Sequence, residues 1–405
     1  MNIIRNFWVL FIVSLTAVAF VGCNDDDEEE TRYISTAAQL VQLSEDVNDA
    51  DDTGYAYSYI NVVLTADIDM AGVEWTPIGH NQIQYYSATF NGNGHTIKNL
   101  TIDAADQPYK GLIGFLYEGE IKNLTLENPQ LACGERVGAI CAKMVYGSSI
   151  TNCKVVGGSI KGTSYVGGVV GDASWSTITN CYNEGTTVEA LLAAGYNIGG
   201  VAGSSTSSSV EGCYNTGTVS GLGSYMGGVV GYTYLSSILG SYNTGDVSSS
   251  GDYIGGVTGS SSSYIVACYS KADVSGGDFV GGVVGSVGSQ YTDLNSYITA
   301  CYSDGTITGT GAQVAGVAGK TDLLTTTLLN CYFTDSAVEG VYEYDSDMST
   351  YNPDSTAGEA ELTDNLTAKF TLMNIAIDGF TYEGSSVKIP YEYYQTNGEL
   401  LLRDA

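Results

Sequence analysis

The stretch that most constrains this chain is Tyr165–Val188, YVGGVVGDASWSTITNCYNEGTTV, because the chain repeats it as six clear copies and one degraded copy. A hydrophobic residue leading into glycine begins the unit at Val137, Val166, Ile198, Met226, Ile254, Val280 and Val314, at spacings of 29, 32, 28, 28, 26 and 34 residues. A second apolar ladder holds Ile150, Ile178, Val210, Ile238, Ile265, Ile298 and Leu328. Each lies three residues before a slot filled by Cys153, Cys181, Cys213, Ser241, Cys268, Cys301 or Cys331. A third ladder, Val188, Val219, Val247, Val274 and Ile307, follows that slot by six or seven residues. Turns such as Asn215-Thr216-Gly217 and Asn243-Thr244-Gly245 separate the last two.

One such unit cannot bury its own apolar face, whereas stacked units can. The predicted fold is therefore all-β: a parallel β-helix, or solenoid, of about 28-residue coils with three strands each. A short N-terminal capping helix and a small C-terminal cap close it. Roughly nine coils at about 4.8 Å per coil give a body on the order of 45 Å long. Each buried Val or Ile contributes about 1.5–3 kcal/mol, which offsets the ~0.5–1 kcal/mol that a strand glycine costs. The chain has 52 glycines and five prolines, and glycine at recurring positions marks corners or close backbone contact. In this repeat the glycines are read as corners.

The slot that alternates Cys with Ser reads as a small-residue position in a stack, so buried free thiols are expected. Disulfides between coils, and a Cys133–Cys141 pair, remain open on spacing alone. No paired C-x-x-C supports a metal–thiolate site. With 45 acidic and 14 basic residues the net charge is −31, which repels nucleic acid and anionic membrane surfaces. The acidity serves solubility or attracts cations and basic partners.

Residues 1–22 form an export signal: Arg5 is its positive region, and Phe7–Val21 is an apolar run, short of the ~20 residues of a spanning helix. Phe20-Val21-Gly22-Cys23 resembles a bacterial lipobox, with Phe20 where Leu is usual. The resemblance implies lipidation at Cys23 and attachment to the outer membrane. Residues 23–30 form an acidic tether, with Asp25–Glu30 as consecutive carboxylates. An acidic run after a lipidated Cys resembles the surface-export signal of some Gram-negative lipoproteins, which implies an outer-membrane lipoprotein facing the exterior rather than the periplasm. Residues 31–58 hold the capping helix and a linker. Ser35 or Thr36 caps it, Gln39 completes a capping box, and Leu40, Leu43 and Val47 share a face. Residues 59–335 are the β-helix and 336–405 a C-terminal strap and cap.

The repeated YVGGVVG…NCYNTG-type unit resembles the GLUG-repeat family of bacterial surface proteins. Its N-terminal flank is similar as well, at Ile34-Ser35-Thr36-Ala37-Ala38-Gln39-Leu40, Leu64–Asp69 and Phe90–Ile97. The resemblance covers about residues 34–333. It implies an extracellular, adhesin-like β-solenoid and supplies no catalytic residue.

Catalytic motifs are missing from the sequence: no H-E-x-x-H, G-x-S-x-G or G-x-x-x-x-G-K-[ST] occurs. A lyase needs a Lys or Arg base near acids or a cation, but Arg136, Lys143, Lys154, Lys161, Lys271 and Lys320 fall at unmatched repeat positions. A glycosidase needs two facing carboxylates, and Asp246, Asp273 and Asp304 sit in or beside turns. Ca²⁺ at Asp67/Asp69 or Asp345/Asp347 lacks a complete loop pattern, so neither metal nor cofactor is expected. Tyrosine is the stronger signal, with 31 in all. Tyr182, Tyr214, Tyr242, Tyr269, Tyr302 and Tyr332 each follow the Cys/Ser slot, and so point outward if that slot points inward. Such a ladder offers rings to a glycan or host protein; alternatively the rings only support one another. Two longer units mark loop insertions at Thr186–Gly195 and Ser286–Tyr297, the second carrying Tyr291 and Tyr297.

The expected function is a lipid-anchored, non-enzymatic binding or adhesion module for host or glycan surfaces. The alternatives are a carbohydrate-active β-helix enzyme and a structural stalk of a surface assembly. The anchor is checked directly: Cys23→Ala is expected to move the chain from the membrane fraction to the soluble fraction, and retention in the membrane would contradict lipidation there.

Overall fold

The structure, a computed structural model, describes residues 30–49, 56–288, 296–322 and 326–344, and short stretches at 361–362, 373–374, 377, 381–382, 385–386, 391–396 and 399–404. Cys23, the leader and the acidic tether up to Glu29 lie outside the described residues.

The three apolar ladders stack in register. Val137, Val166, Ile198, Met226, Ile254, Val280 and Val314 pair in parallel from coil to coil. So do Ile150, Ile178, Val210, Ile238, Ile265, Ile298 and Leu328. The third, Val188, Val219, Val247, Val274 and Ile307, extends back to Ile160 and Leu131. These side chains lie in one continuous core, with Val314 half-buried against it at the last step. The fold is the predicted parallel β-helix, with sheets of 26, 11 and 8 strands.

Two details differ from expectation. A coil has up to five short strand segments, not three: in one coil, Ser164–Gly167, Val170–Ser174, Thr177–Thr179, Tyr182–Glu184 and Thr187–Ala190, while in others neighbouring segments fuse, as in Val230–Leu239 and Thr258–Val266. The first three belong to the largest sheet, which bends within each coil. The 11-stranded sheet runs from Ile68–Asp69 to Glu361–Leu362, so there are more rungs than the nine expected. The segments before the clear repeats form full rungs through Ile68, Ile97 and Leu126.

The second difference concerns the corners. The glycines of the Val-Gly-Gly step do not turn the chain through positive φ. That conformation falls on Arg136, Tyr165, Asn197, Tyr225, Tyr253 and Phe279 just before the step, and on Tyr146, Trp175, Ser207 and Leu235 after the second segment. A third set, Asn152, Asn180, Gly212, Gly240, Ala267, Ala300 and Asn330, precedes the Cys/Ser slot. Left-handed backbone costs a bulky residue roughly 1–2 kcal/mol. Bonds between coils offset that cost, as where Trp175 N–H donates to the Thr206 carbonyl at 3.0 Å and Tyr253 N–H to Asp278 at 3.0 Å.

The repeat glycines instead permit close approach. A Cβ on Gly200 would lie 2.2 Å from the Gly228 carbonyl oxygen and 2.3 Å from Asn215 Cγ. The buried Asn215 donates to Gly217 O at 2.7 Å and to Asn243 Oδ1 at 2.8 Å, and Asn243 repeats the turn bond to Gly245 O at 2.8 Å. The Cys slot works similarly. Cys181 Sγ donates to Thr179 O at 3.3 Å, and Cys181 N–H donates to Cys213 Sγ at 3.4 Å. Where serine replaces cysteine, Cys213 N–H donates to Ser241 Oγ at 3.1 Å. Cys133, Cys141 and the six slot cysteines are free and buried. Burial pushes the Cys133 thiol up to about 12.

The capping helix spans Ala37–Asn48, with Thr36 as N-cap accepting from Gln39 N–H at 3.3 Å. Gln39 Oε1 reaches back to accept from Ser35 N–H at 2.8 Å, one residue before the N-cap rather than at Thr36 as a strict capping box has it. Leu40, Leu43 and Val47 are buried on its inner face. Asn48 fixes it to the first coils by donating to Pro77 O at 2.8 Å and accepting from Gly79 N–H at 2.9 Å. Thr31–Ile34, ahead of the helix, pairs in parallel with Asn61–Leu64 and is itself a rung. At the other end Tyr391–Thr396 and Glu399–Asp404 form an antiparallel hairpin.

Gly200→Ala is expected to lower stability by about 2–3 kcal/mol through overpacking. Gly185→Ala, at φ +73° with open space around it, is expected to cost only the ~1–2 kcal/mol of left-handed strain. Urea midpoints of the two variants check the order, and the reverse order would contradict the close-approach role.

Candidate functional site

The tyrosines after the Cys/Ser slot form a ladder, as their spacing predicts. Tyr182, Tyr214, Tyr242, Tyr269 and Tyr302 stack with ring centroids 4.2, 5.0, 4.8 and 4.9 Å apart and interplanar angles of 20° or less. As a ligand face, part of it needs correction. Tyr269, Tyr302 and Tyr332 are buried in a cluster with Val266, Ala300, Met373 and Ile377, so a C-terminal segment covers that end. Tyr182, Tyr214 and Tyr242 are half-buried, and their faces are spent on one another. The Tyr214 hydroxyl bonds the Glu184 carboxylate, which also pairs with Lys154 at 3.0 Å. Burial pushes the Glu184 carboxyl up, but these two partners outweigh it and leave its pKa below the ordinary value. Tyr297 stacks on Tyr264 at 5.4 Å and is half-buried, while Tyr291 lies outside the described residues. In the other long unit Leu192 is exposed at the loop tip.

A second aromatic row, not singled out in the sequence, lies on the largest sheet. Tyr85, Tyr117, Tyr146 and Trp175 follow one another with centroids 4.8, 5.4 and 5.3 Å apart, and the last pair is parallel to within 2°. Tyr146 is 51% exposed and Trp175 54% exposed. They line a groove of about 360 Å³ together with Gln82, Phe115, Lys143 and Ser174. The signal was obscured because Trp175 sits in the middle of a repeat unit where other copies carry Ser207 or Leu235. Only the register shows that Tyr146, Trp175, Ser207 and Leu235 share one corner.

Beside this groove the structure brings together charges that looked unmatched in the sequence. Lys143 Nζ lies 2.6 Å and Arg136 Nε 3.3 Å from Asp172 Oδ2, and Arg136 also pairs with Glu135 at 2.9 Å. The Asp172 side chain is 7% exposed. The Arg136 guanidinium lies over the Tyr165 ring, 4.6 Å from its centroid. Burial by itself would lower the Arg136 pKa, and Asp172 and Glu135 reverse that and raise it. Lys143 pairs across the sheet with Asp172 on one side and Phe115 on the other, so neighbouring coils assemble the cluster.

The other candidate acids serve turns. Thr306 N–H donates to Asp273 at 2.9 Å, and Thr334 Oγ1 donates to Asp304 at 2.9 Å. Asp246 accepts from Asp273 N–H at 3.3 Å. Asp67 and Asp69 are held below the usual carboxylate range, chiefly by Thr96 N–H and the Asn99 amide respectively. Asp345 and Asp347 lie outside the described residues. Among the described residues no three His, Cys, Asp or Glu side chains converge as a metal site.

The repeat unit matches a known motif over residues 162–189 and 194–220. The chain carries the GLUG motif. Halomucin of Haloquadratum walsbyi is 32% identical over 121 residues, covering 27% of this chain and 1% of halomucin. A protein of Evansella cellulosilytica described as a Gly-rich membrane protein is 34% identical over 109 residues, covering 26% of this chain and 12% of that protein. The GLUG chain thus spans a small part of the length of either relative. Among solved structures, a Bacteroides ovatus protein described as a candidate immunoglobulin A1 protease shares 19% identity at a TM-score of 0.49, with 92% of each chain covered. An IgA1 protease shares 16% identity at 0.48, over 85% of this chain and 27% of the other. Likeness at that level does not carry an activity from one chain to another.

Removing Asp172 leaves two partly buried cations without their shared partner. Asp172→Ala is expected to cost about 3 kcal/mol, whereas Lys161→Ala, in the exposed pair with Glu189, is expected to cost under about 1 kcal/mol. Urea unfolding of both variants tests this, and equal small losses would show that the cluster is not structural.

Proposed function

We propose that this GLUG-repeat β-helix is a lipid-anchored cell-surface protein that binds host or glycan surfaces. The observation that carries the reading is the exposed Tyr146–Trp175 pair in its groove, held by backbone rungs on both sides. Preordered aromatic rings give contact area at low entropic cost. A surface location is supported by the lipobox-like leader and by the relative described as a membrane protein. The acidic surface directs the reading away from nucleic acid.

A second reading, a carbohydrate-active enzyme, is favoured by one observation: Lys143 lines the groove and sits on Asp172. Its Nζ is held 2.6 Å from Asp172 Oδ2 rather than presented to a substrate, which places this reading second.

Arrays of glycans and of extracellular-matrix proteins, probed with the purified full chain, decide between them. Saturable capture without turnover is expected. Absence of capture, together with cleavage of a polysaccharide that is lost in Lys143→Ala, would reverse the ranking.

A further inference from the structure

Tyr146 and Trp175 occupy the same corner of successive coils, and the coil after Trp175 places Ser207 there, followed by Leu235. The aromatic row therefore stops. Tyr146 covers one face of Trp175, and only the small side chain of Ser207 lies at the matching position on the other side. We infer that the step between Trp175 and Leu235 is a stacking subsite for one ring of an uncharged glycan. This inference rests on the binding reading above and names the ligand class for that face.

Spacing carries the first part of the argument. Successive corners are one coil apart, so Trp175 and Leu235 stand about 9.6 Å apart along the axis, twice the ~4.8 Å rung spacing. A ring placed midway lies about 4.8 Å from each wall, within the range at which flat apolar faces stack. Leu235 is 47% exposed, so both walls are apolar and open. The floor is Thr206–Ser207, both half-buried residues carrying a hydroxyl that suits the rim hydroxyls of a sugar. Trp175 holds positive φ at 48° with its side chain outward. Tyr146, Ser207 and Leu235 share that corner conformation, so what sets Trp175 apart is its exposed indole with one face uncovered.

Charge selects the class. The chain carries a net −31, which opposes a polyanion. The groove's cation, Lys143, is held by Asp172, and with Arg136 and Glu135 the cluster sums to zero. Neither uronate nor sulfate finds an unpaired cation there, whereas the apolar face of a neutral pyranose meets the indole.

The test uses the full chain with cellohexaose and mannohexaose as uncharged probes and hexagalacturonate as the anionic one. Trp75 is buried with its Nε1 donating to Gly111 O at 3.1 Å, and Trp8 lies in the leader, so a change in tryptophan emission reports on Trp175. An uncharged probe is expected to shift the emission and hexagalacturonate to leave it unchanged. By calorimetry, Trp175→Ala is expected to weaken that binding about tenfold or more. Ser207→Trp fills the step with a side chain that the same corner already accepts at Trp175, and it is expected to weaken binding as much while circular dichroism stays the same. Binding of neither uncharged probe, preference for hexagalacturonate, or neutral binding untouched by Ser207→Trp would each overturn the subsite. If a matrix protein is captured in the arrays and Ser207→Trp leaves that capture intact, the binding reading stands and the subsite falls.

Discussion

The close approach of successive coils at the glycine step is the constraint on which the rest depends. Gly168, Gly200, Gly228, Gly256 and Gly282 each sit where a Cβ would meet the carbonyl oxygen of the next coil's glycine at 2.1 or 2.2 Å. On the inner side they face Asn183, Asn215 and Asn243, then Ser270 and Ser303. The narrowness at this edge lets the Asn side chains close their own turns and, at Asn215–Asn243, bond across coils. Larger residues at the step would push the rungs apart and open the backbone ladder.

With the rungs fixed at that separation, the exterior follows. Side chains at equivalent positions become stacked neighbours, and aromatic residues form rows as a consequence of the repeat rather than as a sign of function. The Tyr182–Tyr302 row is the clearest case: its rings satisfy one another, and the C-terminal segment buries one end. Function is better sought where a row stops. Trp175 is such a place, because the next coil offers serine where the two before it offered rings.

Much of the fold was legible because it is written in ladders. The three apolar positions, the inward Cys/Ser slot and the helix capped by Thr36 follow from periodicity and hydrogen-bonding chemistry that a sequence displays directly. The corners were not. Glycine is the ordinary residue for positive φ, yet here Tyr165, Tyr225 and Tyr253 adopt it and the glycines serve packing. Tertiary hydrogen bonds between coils override the local preference, and those bonds have no signature within one unit. The strand count fell short for a related reason: bends inside the largest sheet leave no break in the apolar pattern. Of the candidate site, tyrosine spacing gave the ladder but not its burial, which depends on Met373 and Ile377, far along the chain. The Asp172 cluster and the Trp175 groove arise from residues 29 to 36 positions apart that only the coil register brings together.

The central claim, that one glycine-set spacing holds the whole stack, is tested most directly by native-state hydrogen exchange resolved to single amides. The N–H groups of Gly168, Gly200, Gly228, Gly256 and Gly282 each donate to the neighbouring coil, Gly168 to Gly199 O at 3.3 Å and Gly282 to Ala315 O at 3.1 Å. The account predicts uniformly slow exchange along this ladder, with the rungs opening together. Fast exchange at isolated rungs in the middle of the ladder would contradict it.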